Sequence, residues 1–330
     1  MFSCPLFVLA FVYFITDPFR VIWKNPIRDY GKYEQFTGPS RDYIGNFILR
    51  KNYRQQRYNS FIFGNSRSIF YEVDTWKKYL PKDASCFHYD ASGESLYGIE
   101  RKIHYLDVVG LPLHHVILTL DQSTLAQTFP RQGFLFAIAP PTELYSNFIS
   151  FHATYLGAFF KPRFLAAWGD YLVRGQIRKY MKKWKLVQTR TFAFDEISNE
   201  IRYDNAEQEI QMHSFYTPAK IKEFKQPASS DSIDVPVIRS AQIKLLRAIQ
   251  QVFLRHRTHA KIIVHPLYNK IRLHPDDVRE LRSIFGADAV FDFSGRNAWT
   301  SNYMNYYEPS HYRPHIADSV LAHIYQPTAQ

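Results

Sequence analysis

The chain has 330 residues and a mass of 38.9 kDa, enough for one large α/β domain or two smaller ones. Hydrophobic residues make up 46% and charged residues 22%, a globular composition that excludes extensive disorder. Two cysteines, Cys4 and Cys86, exclude a disulfide scaffold, and no Cys/His spacing indicates a structural zinc site. The net charge of +11 is compatible with an anionic lipid, an acidic glycan or a nucleic acid as partner.

The chain begins with an uncharged apolar run over residues 2–16. The run is shorter than the roughly 20 residues of a spanning helix and suits a signal-peptide core or a shortened signal anchor. A buried N-terminal helix of a soluble domain is the alternative. We expect residues 1–23 to form a hydrophobic anchor or signal-like segment and residues 24–58 to form a linker. Basic residues follow the run and none precedes it, so the positive-inside rule alone favours a cytoplasmic location for the rest; these residues are Arg20, Lys24 and Arg28.

From residue 59 onward, short apolar runs alternate with amphipathic helical patterns. Strands alternating with helices imply a parallel sheet that is covered by helices on both faces. The predicted strands are 60–63, 84–89, 115–120, 261–264 and 289–293. Helices with one apolar face are predicted over 96–106 and 243–253, and from Pro275 and Pro314 onward.

The alternation stops over residues 122–235, an aromatic and basic stretch with a long helical candidate at 162–185. An insertion at the carboxyl end of a strand is expected to form a cap over the ligand-binding edge of the sheet. Every charged residue between 171 and 190 is basic. This stretch predicts either a contact with a polyanion or a membrane surface, or a solvated basic face.

Two segments carry candidate catalytic residues. In the first, FIFGNSRS, Ser66 follows a predicted buried strand on a glycine-containing turn. A serine at that position exposes its hydroxyl at the sheet edge, among backbone N–H groups that could bind an oxyanion. In the second, YYEPSHYRPH, Glu308 precedes His311 by three residues. A carboxylate bonded to an imidazole fixes its tautomer, so that the second ring nitrogen can face a nucleophile.

With these two segments the chain resembles the SGNH/GDSL hydrolase-like superfamily. Gly64-Asn65-Ser66-Arg67 resembles the first block of the family, with Ser66 as nucleophile, although the family usually has aspartate where this chain has Asn65. Asp90-Ala91-Ser92-Gly93 resembles the second block, whose glycine N–H helps to form the oxyanion hole. Glu308-Pro309-Ser310-His311 resembles the final Asp-x-x-His block, with glutamate in place of aspartate.

The third block of the family, Gly-x-Asn-Asp, is missing, and Leu118-Thr119-Leu120-Asp121-Gln122 stands in its place. The resemblance implies an oxyanion hole formed by Ser66 and Gly93, to which the Gln122 amide could contribute. Losing one such donor costs about 2.7–4 kcal/mol of transition-state stabilisation. The resemblance also implies a three-layer α/β/α, flavodoxin-like domain over residues 59–330, with a parallel central sheet and the helical, aromatic-rich insertion as a cap.

The overall pattern is closest to the membrane-anchored branch of this superfamily, which is similar to proteins of lipoteichoic-acid D-alanylation and alginate O-acetylation. This resemblance implies a serine esterase or O-acyltransferase that acts on an envelope polymer outside the cytoplasm. It also implies a membrane acyltransferase as a partner. No cofactor, metal or nucleic acid is indicated, and no helix-turn-helix, RNP-like or zinc-finger pattern is present.

Several residues have alternative interpretations. Asp292 could orient His311 instead of Glu308, and with His315 the motif reads E-x-x-H-x-x-x-H, a possible metal site that Pro314 would disrupt. Arg67 and Arg313 could clamp an anionic substrate or form structural salt bridges. The remaining candidates near this edge are Asp121 as a substrate contact, His265 as a supporting residue, and Tyr303, Tyr306 and Tyr307 as a sugar-stacking wall or as packing. A binding or assembly protein without catalysis is the alternative to the enzyme.

Overall fold

The computed structural model describes residues 3–140, 142, 148–224 and 232–325. Its helices, numbered α1 to α13 in chain order, are Ser3–Thr16, Arg41–Gln56, Val73–Lys77, Leu96–Val108, Gln122–Leu125, Phe148–Phe159, Pro162–Arg174, Lys179–Lys183, Asp204–Gln211, Pro218–Glu223, Ser240–His256, Pro275–Phe285 and Pro314–Tyr325. Its strands, numbered β1 to β11, are Gln35–Phe36, Ser60–Phe63, Cys86–His88, His115–Leu120, Val187–Gln188, Ala193–Phe194, Ile201–Arg202, His259–Val264, Val290–Asp292, Tyr306–Glu308 and His311–Tyr312.

Five strands form a parallel central sheet in the order β3-β2-β4-β8-β9. Counted along the chain, these strands have the doubly wound order 2-1-3-4-5, in which the winding direction changes between β2 and β4. Each of the five strands lies within or close to a predicted apolar run, and the three-layer α/β/α class predicted from the sequence is confirmed. In such sheets the ligand crevice lies outside the carboxyl ends of the strands at the point of change. Here those ends lead into Asn65–Arg67 and Asp121.

Alternate side chains of the strands supply two separate cores. Phe61 and Phe63 point to one face, where α2, α4, α11 and α12 pack, whereas Ile62 points to the other face, where α3 and α13 pack. This alternation follows from the two-residue period of a strand. Because both faces are covered by helices, all four residues of β2 are buried.

The segment predicted as a linker, residues 24–58, contains part of the main core. Helix α2 begins after Ser40, whose side chain accepts a hydrogen bond from the Tyr43 N–H. Ile44, Ile48 and Leu49 of this helix are buried against the sheet. The sequence pattern missed the helix because its apolar residues are confined to 43–49, and the following residues 50–56 are polar or charged apart from Tyr53. The linker prediction is corrected to a core helix.

The N-terminal helix α1 and the first part of the insertion share a third, aromatic-rich core. Phe19 lies 4.7 Å from Phe164 and 5.3 Å from Tyr155, measured between ring centroids. The helix predicted over 162–185 is two helices, since Gly175, with φ of 67°, ends α7. Within the described residues, no helix is both long enough and apolar enough to cross a membrane.

We expect Gly64→Ala to destabilise the fold by about 2–4 kcal/mol. Gly64 follows β2, and a Cβ at this position would lie 1.9 Å from Thr119 Oγ1 and 3.0 Å from Ser68 Cβ. Thr119 is held by its own bond to the Phe63 carbonyl, so β4 would have to shift. Thermal melting measures the effect, with Gly38→Ala as control because no atom lies within 4 Å of its added Cβ. Equal melting temperatures for the two variants would contradict the expectation.

Candidate active site

Ser66 lies in the turn that follows β2 and is held there by its neighbour Asn65. The Asn65 side-chain oxygen accepts from the Arg67 N–H at 3.0 Å. The Asn65 carbonyl accepts from the Ser68 N–H at 2.9 Å and from the Ser68 hydroxyl at 2.8 Å. Because these bonds between Asn65 and residues 67 and 68 fix the turn, Ser66 is held in one place at the carboxyl end of the sheet.

Glu308 and His311 face each other across a tight hairpin. They end β10 and begin β11, which are antiparallel, and the two residues are paired in register. Pro309 and Ser310 form the connection between them. In an antiparallel pair, directly opposed side chains lie on the same face of the ribbon, which explains how residues three positions apart can make contact.

The hairpin brings His311 onto Ser66. Ser66 Oγ lies 2.8 Å from His311 Nε2, and His311 Nδ1 lies 2.5 Å from Glu308 Oε1. The Ser310 hydroxyl donates to the same Glu308 oxygen at 3.1 Å, so Oε1 accepts hydrogen bonds from both His311 and Ser310. An Nδ1–H that donates to Glu308 leaves Nε2 free to accept the proton of Ser66, which is the arrangement of a serine, histidine and carboxylate triad.

Glu308 is held as a carboxylate. Its hydrogen bond with His311 lowers its pKa to about 2, against the opposing effect of burial, and Arg190 lies 3.3 Å from its second oxygen. The Glu308 side chain is 28% exposed and that of His311 is 19% exposed. A triad open to this degree can be reached by a large substrate without a deep pocket.

Arg67 and Asp121 join three of the loops at this edge. Arg67 Nε donates to the Ser310 carbonyl at 2.9 Å, and its Nη1 donates to Asp121 Oδ2. The Asn65 amide donates to the same Asp121 oxygen at 2.7 Å. Burial alone would raise the pKa of Asp121, but Arg67 and the hydrogen bonds outweigh it, so the pKa is lowered. Both groups therefore position the loops, and Asp121 is buried in doing so.

His265, at the end of β8, is buried behind the hairpin. Its Nδ1 lies 2.9 Å from the Tyr312 hydroxyl, and its Nε2 has no hydrogen-bond partner among the described residues. Burial lowers the pKa of His265 to about 3, so this imidazole is neutral near pH 7. A neutral ring bonded to the residue next to His311 serves as support for the hairpin.

The loop predicted to complete the oxyanion hole lies beside the Ser66 turn. The Ala91 N–H donates to the Gly64 carbonyl at 3.1 Å, which aligns the two loops. Gly93 has a φ of 54°, and a Cβ there would lie 2.8 Å from Arg131 Nη1, so this position favours glycine. Asp121 is the N-cap of α5. Gln122 is the first residue of this helix, and it is half-buried.

Other candidates from the sequence lie outside this arrangement. Arg313 forms two bonds with the Glu207 carboxylate, Nε at 3.0 Å and Nη2 at 2.5 Å, which is the structural salt bridge expected as the alternative to a substrate contact. Asp292 accepts from Ser294 and not from His311. His315 Nε2 lies 3.1 Å from Asn305 Oδ1, and Tyr306 and Tyr307 are buried as packing residues. In the described part of the chain, no group of three His, Cys, Asp or Glu side chains is arranged to hold a metal.

Arg190 is the site residue that the sequence did not indicate. It belongs to the insertion and precedes Glu308 by 118 positions, so no local spacing connects the two. From the sequence it was one of seven basic residues in a run, with nothing to distinguish it from the others. A second insertion residue, Glu207, accepts from the Tyr307 hydroxyl at 2.5 Å, so the insertion holds the hairpin at two points.

We expect Arg67→Lys to lower kcat about 10- to 100-fold with little change in KM, because a misplacement of about 1 Å has that effect. A lysine ammonium keeps the charge but cannot reproduce the planar fork that bonds Asp121 and Ser310 together. Hydrogen exchange of the hairpin amides provides a readout that does not depend on turnover, and it should accelerate. Arg247→Lys, on the exposed side of α11, is the matched control. Unchanged exchange and unchanged kcat would contradict the positioning role.

No protein-family model and no curated protein matches the sequence.

Proposed function

We propose that the protein is a serine esterase or O-acyltransferase that acts on acyl groups of a cell-surface polysaccharide or another envelope polymer. One observation carries the proposal: Ser66, His311 and Glu308 form a continuous hydrogen-bonded chain at the winding change of a parallel sheet. A serine with only a structural role has no requirement for an imidazole nitrogen at 2.8 Å from its hydroxyl, or for a carboxylate that orients that imidazole.

In the proposed reaction, Ser66 Oγ attacks the acyl carbonyl and its proton passes to His311 Nε2. The negative charge on the carbonyl oxygen is stabilised by the N–H groups of Ser66 and Gly93, and Glu308 stabilises the imidazolium. Collapse of the tetrahedral intermediate breaks the ester bond, and His311 returns the proton to the leaving alcohol. Water or a sugar hydroxyl then attacks the acyl-serine and gives up its proton to His311. The bond between the acyl group and Ser66 Oγ breaks, His311 returns the proton to Ser66, and a carboxylic acid or a new ester leaves.

The nature of the substrate is part of the same proposal. The partial exposure of the triad supports a polymer substrate, because a chain that cannot enter a closed pocket can still reach a partly exposed serine. We propose membrane association through the N-terminus and an extracytoplasmic location, with a membrane acyltransferase as a partner. The exposed apolar side chains of α1 support the membrane contact; they are Phe7, Val8, Phe11, Phe14 and Ile15.

A non-catalytic binding or assembly protein is the second candidate. The observation that favours it is Asp121, which stands where the superfamily has an oxyanion donor and is bound to Arg67 and Asn65. Under this hypothesis the groove around the hairpin would hold a polymer without turnover. The retained triad geometry makes the enzyme the stronger proposal.

Labelling with a serine-reactive fluorophosphonate separates the two candidates. The enzyme hypothesis expects one adduct, found by mass spectrometry on the peptide that contains Ser66. The adduct should be absent in Ser66→Ala and in His311→Ala, but present in Ser301→Ala, which removes an exposed loop serine elsewhere. Folded wild-type protein that remains unlabelled would defeat the enzyme hypothesis and leave the binding protein.

A further inference from the structure

The proposed oxyanion hole lacks the donor that the third sequence block would supply. Asp121 stands at that position, and as a carboxylate it has no proton to donate. Its Oδ2 atom already accepts hydrogen bonds from Arg67 and Asn65. A third donor to the oxyanion therefore has to come from another segment of the chain.

The loop that carries Gly93 continues the pairing between β2 and β3 toward Ser66. The Ala91 N–H donates to the Gly64 carbonyl at 3.1 Å, two residues beyond the last strand pair. A further step of two residues along this parallel ladder pairs Gly93 with Ser66. Neither the Ser66 N–H nor the Gly93 N–H has a hydrogen-bond partner among the described residues, so both remain available to a ligand oxygen.

The Arg131 side chain, which belongs to the insertion, packs against Gly93. A Cβ built on Gly93 would lie 2.8 Å from Arg131 Nη1, so the guanidinium is in van der Waals contact with this glycine. Arg131 is half-buried, and its guanidinium carbon lies 5.6 Å from the centre of the Phe136 ring. This cation–π contact orients the guanidinium without using its N–H donors for a hydrogen bond.

The N–H donors of Arg131 are not bound to other groups. Within the described part of the chain, Arg131 makes neither a hydrogen bond nor an ion pair. Asp42 and Glu94 line the same small space around Gly93, and their carboxylates lie 3.2 Å and 2.6 Å from Lys102 Nζ. Two carboxylates that share one ammonium favour a further cation nearby, which keeps the Arg131 guanidinium at the loop.

We propose that Arg131 is the third oxyanion donor of the candidate active site. The inference rests on the proposed function, because it requires an acyl carbonyl bound at Ser66. When Ser66 attacks, the carbonyl oxygen that accepts from the Ser66 and Gly93 N–H groups becomes negative, and the guanidinium beside Gly93 donates to it. A charged donor bonds an oxyanion more strongly than a neutral amide does, so Arg131 replaces the amide that the third block lacks.

The test measures turnover of a neutral aryl acetate, because an uncharged substrate excludes an effect of Arg131 on the binding of an anionic group. We expect Arg131→Ala to lower kcat about 100-fold with little change in KM, and Arg131→Lys to lower it about tenfold. Added guanidinium at millimolar concentration should restore part of the activity of Arg131→Ala and none of the activity of Ser66→Ala. Arg163→Ala is the matched control and should turn over like the wild type. Arg163 is an exposed arginine of α7 that also makes a cation–π contact, 5.9 Å from the Trp184 ring, and no ion pair among the described residues.

A thionoester distinguishes an oxyanion donor from a residue that only supports the loop. Sulfur is a weak hydrogen-bond acceptor, so removal of a donor slows the oxygen ester more than the thionoester. We expect the ratio of the two rates to fall about tenfold in Arg131→Ala and to be unchanged in Arg163→Ala. A lower kcat with an unchanged ratio would make Arg131 a packing residue and overturn the proposal. If thermal melting shows that Arg131→Ala is unfolded, the same ratio is measured in Arg131→Lys.

Fluorophosphonate labelling of the wild type separates failure of this proposal from failure of the proposed function. If the wild type is labelled at Ser66 and Arg131→Ala turns over within about threefold of it, the esterase stands and the Arg131 donor is wrong. A loss of kcat in Gln122→Ala, with none in Arg131→Ala, would assign the third donor to the Gln122 amide instead. A wild type that is neither labelled nor active removes the enzyme, and the oxyanion donor with it.

Discussion

Replacing Ser66 by alanine should reduce acyl turnover by about five to six orders of magnitude, because the covalent route is lost. A residual rate over water remains, since oxyanion donors and substrate positioning do not depend on the Ser66 hydroxyl. The fold should be unaffected, because the variant removes one partly exposed hydroxyl and no buried apolar area. The measurement is release of the acyl group from a generic aryl ester, together with thermal melting.

Ser68→Ala provides the control for this variant. Ser68 belongs to the same turn but is buried, and its hydroxyl donates to the Asn65 carbonyl. Its loss is expected to lower stability modestly and activity only in proportion to any distortion of the turn. If Ser66→Ala keeps full activity while melting normally, the enzyme hypothesis is wrong.

Replacing Glu308 by glutamine should reduce turnover by about three to four orders of magnitude, which is less than the effect of Ser66→Ala. A glutamine keeps the shape and a hydrogen bond to His311 Nδ1. It has no negative charge to stabilise the imidazolium. Its amide N–H₂ can also turn toward His311 Nδ1 and favour the tautomer in which that nitrogen carries no proton. Turnover of the same aryl ester measures the effect, and activity within tenfold of the wild type would argue against Glu308 as the orienting carboxylate.

The same variant has a defined pH dependence of stability. The pKa of Glu308 is lowered from 4.5 to about 2 in the fold, so its stabilising contribution is complete above about pH 4.5 and is lost as the pH falls toward 2. With a partly exposed side chain, we expect this contribution to be about 1–2 kcal/mol. The melting difference between wild type and Glu308→Gln should therefore shrink on acidification. Glu209→Gln, at an exposed position of α9, should show no such trend.

Strand and helix periodicity determined the central sheet, because each strand coincides with a short apolar run and the helices α4, α11, α12 and α13 each have one apolar face. The motif residues could also be located from sequence, since Ser66 follows the first core strand and Glu308 and His311 lie before the last helix. These features depend on local patterns within a few residues. The linker prediction failed because the apolar residues of α2 are confined to its first half, which is too short to stand out as a helical pattern, although Ile44, Ile48 and Leu49 are buried.

The connections between distant segments were decided only by the tertiary structure. Ser66 and His311 are 245 positions apart, and the parallel topology brings them to one edge of the sheet. The roles of Arg67 and Arg313 could not be separated from sequence, because both flank the motifs. In the fold, Arg67 bonds Asp121 and the Ser310 carbonyl, whereas Arg313 is bound to Glu207 of the insertion.

The sequence by itself therefore determined the layered α/β class and the identity of the candidate triad, since both follow from side-chain periodicity and from short motifs. The tertiary structure decided which polar residues are already paired and which remain available to a ligand. Asp121, Arg313 and Asp292 are paired, whereas Ser66 and His311 remain partly exposed at the edge of the sheet. The physical reason is that pairing of charges depends on distances between side chains from separate elements, and these distances exist only once the core has packed.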